Sequence, residues 1–225
     1  MINILSNEYT IDEEWCKPYF QQYIKENHKV IVVAFSFRDS QVKNIESWNE
    51  LYSRDSGRYY SGIVSSLAAY GIIENNICFL NYFEDTKETA STKISQADII
   101  YLPGGLPDRM IERLNEFDLI ESIKEHNGII LGFSAGAMIQ LSEYHITPDK
   151  DYTVYKYFDG IGFLDSFGIE VHYENSYVQN SSITRFIKEK NKPVYAIGDK
   201  GALIINKGIV QKIGDVRYYT VDRAL

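Results

Sequence analysis

The chain has 225 residues, of which 44% are hydrophobic, 14% aromatic and 24% charged. That is an ordinary globular composition, which excludes a disordered, collagenous or coiled-coil protein. The formal charge of -8, with no concentrated basic patch, argues against a nucleic-acid partner. The length suits one large domain, residues 1–225, better than two.

Met1–Thr10 lacks a basic stretch followed by a long apolar run, and no window approaches the ~18 apolar residues of a membrane span, so neither a signal peptide nor a membrane partner is expected. Cys16 and Cys78 are too few to staple a domain of this size, and neither has metal-ligand spacing. A reducing, cytoplasmic location is therefore expected. Lys29–Phe35, Asn76–Leu80, Asp98–Leu102 and Gly128–Gly132 are short, Ile- and Val-rich runs, apolar on both faces, the pattern of buried parallel strands. Between them the periodicity predicts helices over Asn44–Leu51, Tyr59–Tyr70 (closed by Gly71) and Asp108–Glu125. The βαβαβ alternation predicts an α/β protein, a three-layer sandwich with a mostly parallel sheet. A helix over Ala135–Leu141 follows the fourth run, and Pro148–Ser166 has no strong period and reads as a loop. Phe167–Val171 is a further apolar run. In Ser181–Lys190, Ile183, Phe186 and Ile187 share a helical face. Val194–Gly198 reads as a strand of the main sheet. Ala202–Asn206, Ile209–Lys212 and Arg217–Val221 read as an antiparallel edge extension, with a tight turn at Asn206-Lys207-Gly208.

The sharpest feature is Gly132-Phe133-Ser134-Ala135-Gly136-Ala137, a G-x-S-x-G elbow between a predicted strand and a predicted helix. Small residues on both sides allow the strained turn that lifts a serine oxygen clear of the sheet, which makes Ser134 the candidate nucleophile. The bland alternative is Ser134 as a helix cap. An oxyanion hole needs two backbone donors. Pro103-Gly104-Gly105 ends the strand Asp98–Leu102, so the N–H groups of Gly105 and Ala135 are the candidates.

Of the four histidines, His28 precedes a strand in a polar segment, His126 ends a helix, and His145 lies in the loop after the elbow helix. His172 ends the run Phe167–Val171, where a sheet presents catalytic side chains, and is the preferred base. The carboxylate that fixes its tautomer is assigned to Asp199, at the end of Val194–Gly198. Asp149 and Asp151 are rivals, and Asp165, Glu170 and Glu174 weaker ones. The order Ser, His, Asp differs from that of the α/β-hydrolases, which argues against their fold but not their chemistry. No Gly-x-Gly-x-x-Gly follows the first predicted strand, which excludes the usual dinucleotide fingerprint.

Asp98–Gly105 (DIIYLPGG), Gly132–Ala137 (GFSAGA), Ile169–Tyr173 (IEVHY) and Ile197–Ile204 (IGDKGALI) fall in the order found in the peptidase E family, the serine peptidases of family S51 that include aspartyl dipeptidase and the cyanophycinases. The chain resembles that family over most of its length after about residue 75, and more loosely before it. The resemblance implies a fold like that of the class I glutamine amidotransferases (flavodoxin-like) and a Ser–His–Glu triad. Ser134 and His172 then match the nucleophile and base, and Asp199, one methylene shorter, stands where the family has Glu. Asp149 resembles a second acidic position of the dipeptidase and is the reserve.

Leu106-Pro107 follow Gly-Gly where the dipeptidase has Asn-Thr, and Ser182 stands at its substrate-binding Arg position, with Arg185 the nearest arginine. Loss of a bidentate carboxylate clamp removes the basis for Asp-X selection. Nothing in the sequence is built for cyanophycin. The expected activity is thus hydrolysis of small peptides, as a dipeptidase or short-peptide hydrolase, with no cofactor and no metal. An esterase or amidase on the same site, or a catalytically weak binding protein, are the alternatives. Arg38, Arg54, Arg58 and Arg109 are further candidates for a substrate carboxylate. Of the 18 tyrosines, those at Tyr152, Tyr155, Tyr157, Tyr173 and Tyr177 read first as loop packing and second as a cleft lining or a homodimer face.

Overall fold

The computed structural model describes residues 1–220. In chain order its strands and α-helices are β1 (Ile2–Ser6), α1 (Lys17–Phe20), β2 (Val30–Val33), α2 (Ile45–Tyr52), α3 (Tyr60–Ala68), β3 (Ile77–Leu80), α4 (Lys87–Ser95), β4 (Ile99–Leu102), α5 (Pro107–Glu116), α6 (Leu119–Lys124), β5 (Ile129–Phe133), α7 (Ala135–Met138), β6 (Glu143–Ile146), β7 (Lys156–Asp159), β8 (Gly168–Glu170), α8 (Tyr177–Lys190), β9 (Val194–Asn206) and β10 (Ile209–Tyr219). The main sheet runs β10-β9-β1-β5-β4-β2-β3, with β8 alongside the start of β9. Strands β3, β2, β4, β5 and β1 pair parallel. Strand β9 runs antiparallel to β1, and β10 antiparallel to β9.

The central strands are apolar on both faces because each face meets its own core. Leu5, Ile31, Ile100 and Ile130 face Ala90 and Ile94 of α4, Met110 and Leu114 of α5, and Leu119 and Ile123 of α6. Their neighbours Ile4, Val32, Tyr101 and Leu131 face Phe20 of α1 and Ile63 and Leu67 of α3. Two helical layers around one sheet follow directly from the period-two alternation of side chains along a strand.

The structure departs from the sequence pattern at several elements. Strand β1 is not announced, because Asn3 and Ser6 break its apolar run; both are buried all the same, Asn3 by donating to Gln140 Oε1 at 2.9 Å. Helix α4 is also unannounced, since it buries only Ala90 and Ile94 and begins at a capping box between Thr86 and Thr89. The single helix expected over Asp108–Glu125 is two, broken at Asp118, whose φ is 54°. The segment expected to loop over Pro148–Ser166 contains β7, which pairs with β6 as a hairpin. Helix α8 begins ahead of Ser181, after a capping box between Ser176 and Gln179. The runs Val194–Gly198 and Ala202–Asn206 are one strand, and Ile209–Lys212 and Arg217–Tyr219 are another, kinked between Gly214 and Val216. Val221, the end of the last expected run, lies outside the described residues.

Candidate active site

Four segments meet at the end of β5. The register pairs Ser6 of β1 with Phe133 of β5 and with Ala202 of β9, and Leu102 of β4 with Gly132. The residues just beyond Ser6, Leu102 and Phe133 therefore emerge side by side at the carboxyl edge of the parallel strands, where open α/β sheets collect ligands.

Ser134 occupies the sharp turn expected of the elbow, with φ 49° and ψ -108°. Its N–H donates to Ser6 O at 2.8 Å, which ties the turn to β1. The turn closes this tightly because Gly132 has no Cβ, and one there would lie 2.2 Å from Gly136 O. The Ser134 side chain makes no capping bond to α7. Its Oγ lies 2.9 Å from His172 Nε2 instead, so the helix-cap reading fails.

His172, two residues past β8, also has a left-handed backbone, with φ 50°. Side chains from elsewhere hold it there. Its N–H donates to Asn7 Oδ1 at 3.0 Å, and its carbonyl accepts from Gln179 Nε2 at 2.8 Å. Asn7, 2% exposed, also donates through Nδ2 to Ile197 O at 2.7 Å, and that carbonyl accepts the Tyr173 N–H at 2.9 Å. The imidazole Nδ1 then faces Asp199 Oδ1 at 3.7 Å and Glu8 Oε1 at 3.8 Å. Asp199 is the more open of the two, with 68% of its side chain exposed against 41% for Glu8. The arrangement can pass the Ser134 hydroxyl proton to Nε2 while the carboxylates face the Nδ1–H.

Gly105 has φ 140°, and a Cβ on it would lie 2.3 Å from Ser36 O, so only glycine fits. The loop is fixed by Ser36, whose Oγ donates to Gly104 O at 2.6 Å and whose carbonyl accepts the Leu106 N–H at 2.8 Å. Gly104 packs against the serine, its ideal Cβ position lying 3.5 Å from Ser134 Cβ. Among the described residues, the N–H groups of Gly105 and Ala135 have no protein acceptor.

The remaining candidates lie elsewhere or are committed. His145 is buried in β6, with Nε2 2.8 Å from Glu170 Oε2, and Thr147 donates to the same oxygen at 2.7 Å. His28 Nδ1 accepts from Lys25 N at 3.3 Å, and His126 Nε2 lies 3.3 Å from Asp98 O. Asp149 caps a turn, accepting from the N–H groups of Asp151 and Tyr152 at 2.8 Å. Asp151 pairs with Arg38 at 2.5 Å, a guanidinium contact that holds its carboxyl below the ordinary range. Asp165 pairs with Lys192, and the Glu174 N–H donates to Gln179 Oε1. Arg54 pairs with Glu74, Arg109 with Glu112 and Asp39, and Arg185 with Glu189 while lying over the Tyr155 ring. Ser182 is buried, and the hydroxyls of Tyr152, Tyr155, Tyr157 and Tyr173 all hydrogen-bond to other side chains.

Asn7, Glu8 and Gln179 stand at the site outside any of the motifs above. Gln179 carries one usable signal, its capping-box spacing from Ser176. Asn7 and Glu8 carry none, since only the pairing of β1 with β5 and β9 brings them here. Glu8, His172 and Asp199 are also the described residues with metal-ligand spacing, their ligand atoms lying within 4.8 Å of one another.

No curated protein sequence matches the chain. Among solved structures it is similar to a provisionally designated peptidase E protein from Listeria monocytogenes EGD-e, with TM-score 0.66, 18% identity and coverage of 94% of this chain and 96% of that one. It is also similar to a peptidase from an acI-B1 Actinobacterium, with TM-score 0.65, 17% identity and coverage of 98% and 91%. These likenesses show a common α/β fold. No described helix is long and apolar enough to cross a membrane. The sequence model of peptidase family S51 matches residues 52–213, well over half of the chain, and takes in the elbow, Gly104-Gly105, His172 and Asp199: the chain belongs to peptidase family S51.

Proposed function

We propose that the chain is a serine peptidase that hydrolyses short peptides through an acyl-enzyme on Ser134. The observation that carries this reading is the 2.9 Å contact between Ser134 Oγ and His172 Nε2 at a strained strand-to-helix turn. Ser134 Oγ attacks the scissile carbonyl as His172 Nε2 takes its proton. His172 then returns that proton to the leaving amine, and a water activated by the same nitrogen resolves the ester. Asp199 accepts the Nδ1–H and holds the tautomer, after a small closure from 3.7 Å. The N–H groups of Gly105 and Ala135 receive the oxyanion, and a well-aimed donor contributes roughly 2.7–4 kcal/mol.

We assign residues 1–225 to one domain of the class I glutamine-amidotransferase-like, flavodoxin-like arrangement. The order β3-β2-β4-β5 supports this, because chain direction across the sheet reverses between β2 and β4, beside the Ser36–Gly105 contact. Selection for Asp-X dipeptides is not part of the reading, since Ser182 is buried and Arg185 is engaged by Glu189.

The test is covalent labelling with a fluorophosphonate, followed by peptide and ester panels. Label on Ser134, with hydrolysis abolished in Ser134→Ala, is the expected result. Unchanged peptide hydrolysis by Ser134→Ala would reject the serine mechanism. Hydrolysis confined to esters would make the protein a different acyl hydrolase, and neither labelling nor turnover would leave a binding protein.

A further inference from the structure

A serine triad needs one carboxylate at the imidazole, and this site offers two. Asp199 Oδ1, from within β9, and Glu8 Oε1, two residues beyond β1, stand 3.7 and 3.8 Å from the same nitrogen, His172 Nδ1. Neither is yet at hydrogen-bond distance, so geometry alone favours neither over the other. Their supports differ. Asp199 lies on β9 and is largely open to water, whereas Glu8 is flanked by anchored residues. On one side Asn7 is buried and bonded to the His172 N–H. On the other, Tyr9 packs its ring 5.9 Å from that of Phe133, next to Ser134 in the chain. The Glu8 carbonyl is also within 3.4 Å of Ser6 Oγ. The imidazolium formed during turnover presents its Nδ1–H to both carboxylates, whose facing oxygens lie within 4.8 Å of each other.

Resting on the serine reading above, we propose that Glu8 is a second positioning residue for His172, sharing the Nδ1–H with Asp199. When Ser134 gives its proton to Nε2, the ring becomes an imidazolium and Nδ1–H donates to whichever carboxylate closes in. Neither acid takes the proton, and nothing else in the acyl transfer changes.

Fluorophosphonate labelling tests this without a known substrate. The saturable rate is measured for the wild type and for Glu8→Gln, Asp199→Asn, Glu8→Asp and the Glu8→Gln/Asp199→Asn pair, with melting temperature as the folding control. Each single neutral variant is expected to lower the maximal labelling rate about tenfold with half-saturation unchanged. The pair is expected to approach the ~10⁴-fold loss known for triads deprived of their acid. Glu8→Asp keeps the charge but withdraws it by one methylene, and is expected to fall between wild type and Glu8→Gln. The low-field Nδ1–H proton resonance of His172 should persist in each single variant and vanish in the pair. If Glu8→Gln labels at the wild-type rate and the pair behaves as Asp199→Asn alone, Glu8 has no such role. If wild-type Ser134 takes no label at all, the serine reading itself fails.

Discussion

Ser134 and His172 meet through their side chains at 2.9 Å, and each holds a left-handed backbone, with φ 49° and φ 50°. Non-glycine residues reach that region at a cost of order 1–3 kcal/mol and cluster at functional sites. Ser134→Ala keeps the strain and removes the hydroxyl, whereas Ser134→Gly removes both. Both variants should be inactive, but Ser134→Gly should be more stable than Ser134→Ala by about 1 kcal/mol, because glycine accepts positive φ freely. Urea unfolding of the two measures the difference. Equal stability, or a more stable alanine variant, would mean that the turn is not under strain.

Asn7 links His172 to the sheet. Its amide gives one hydrogen bond to Ile197 O and takes one from the His172 N–H. Asn7→Leu fills a similar volume but leaves the His172 N–H unpaired, while Ile197 O keeps the Tyr173 N–H as its donor, so the cost is roughly 1–3 kcal/mol for the one group so stranded. The expected result is a lower melting temperature together with slower labelling of Ser134. Asn7→Asp, which keeps one acceptor for the His172 N–H, should recover part of the labelling rate. Loss of stability with full labelling would show that Asn7 supports the fold and not the position of the ring.

What the sequence revealed depended on where the physics is local. The elbow and the Gly104-Gly105 loop were legible because sharp turns and close backbone contacts demand small residues at fixed positions, such as Gly132 against Gly136 and Gly105 against Ser36. The strands β2, β4 and β5 were legible because burial on both faces requires unbroken apolar runs. Strand β1 was not, because Asn3 and Ser6 are polar yet buried, satisfied by partners far along the chain at Gln140 and Gly201. Glu8 was hidden for the same reason. Its nearness to His172 exists only after β1 lies between β5 and β9.

The two cysteines should differ sharply as reagents. Cys16 is buried, its Sγ within 3.2 Å of Ile11 O, while Cys78 is exposed. Burial, reinforced by Glu13 and Asp12, pushes the Cys16 thiol from its ordinary 9.0 up to about 12. A raised value favours the neutral thiol in the folded chain, so this contribution to stability is full below about pH 9 and is lost as pH climbs towards 12. At pH 8 a disulfide reagent is expected to titrate one thiol in the native protein and two in denaturant. Two rapid native thiols would mean that the α1 region opens readily.

Glu8, His172 and Asp199 could be read as ligands of a cation, since their donor atoms lie within 4.8 Å of one another. The serine reading instead needs His172 Nδ1 for its carboxylates. Exhaustive dialysis against EDTA is therefore expected to leave labelling of Ser134 and peptide hydrolysis unchanged. A loss restored by one equivalent of a divalent ion would assign the three side chains to a metal and overturn the orienting role of both acids.

Gly104 and Gly105 allow a last separation, between a residue that packs on Ser134 and one whose N–H is proposed to touch the substrate. A Cβ at Gly104 would sit 3.5 Å from Phe133 O and Ser134 Cβ, ordinary van der Waals contact. A Cβ at Gly105 would sit 2.3 Å from Ser36 O on a backbone with φ 140°, so the loop must move. Gly104→Ala should therefore fold normally and label within a few-fold of wild type. Gly105→Ala should lose most labelling even where it folds, because the shift that relieves Ser36 also turns the N–H away from the oxyanion. A displaced donor forfeits much of the ~10²–10³-fold that oxyanion contacts supply. Removing the Ser36 hydroxyl, as Ser36→Ala, loosens the same loop at Gly104 O without adding bulk. It should fall between the two glycine variants in maximal labelling rate, with half-saturation unchanged. If Gly105→Ala folds and labels like the wild type, the N–H of Gly105 is not the donor, and the oxyanion must be received elsewhere.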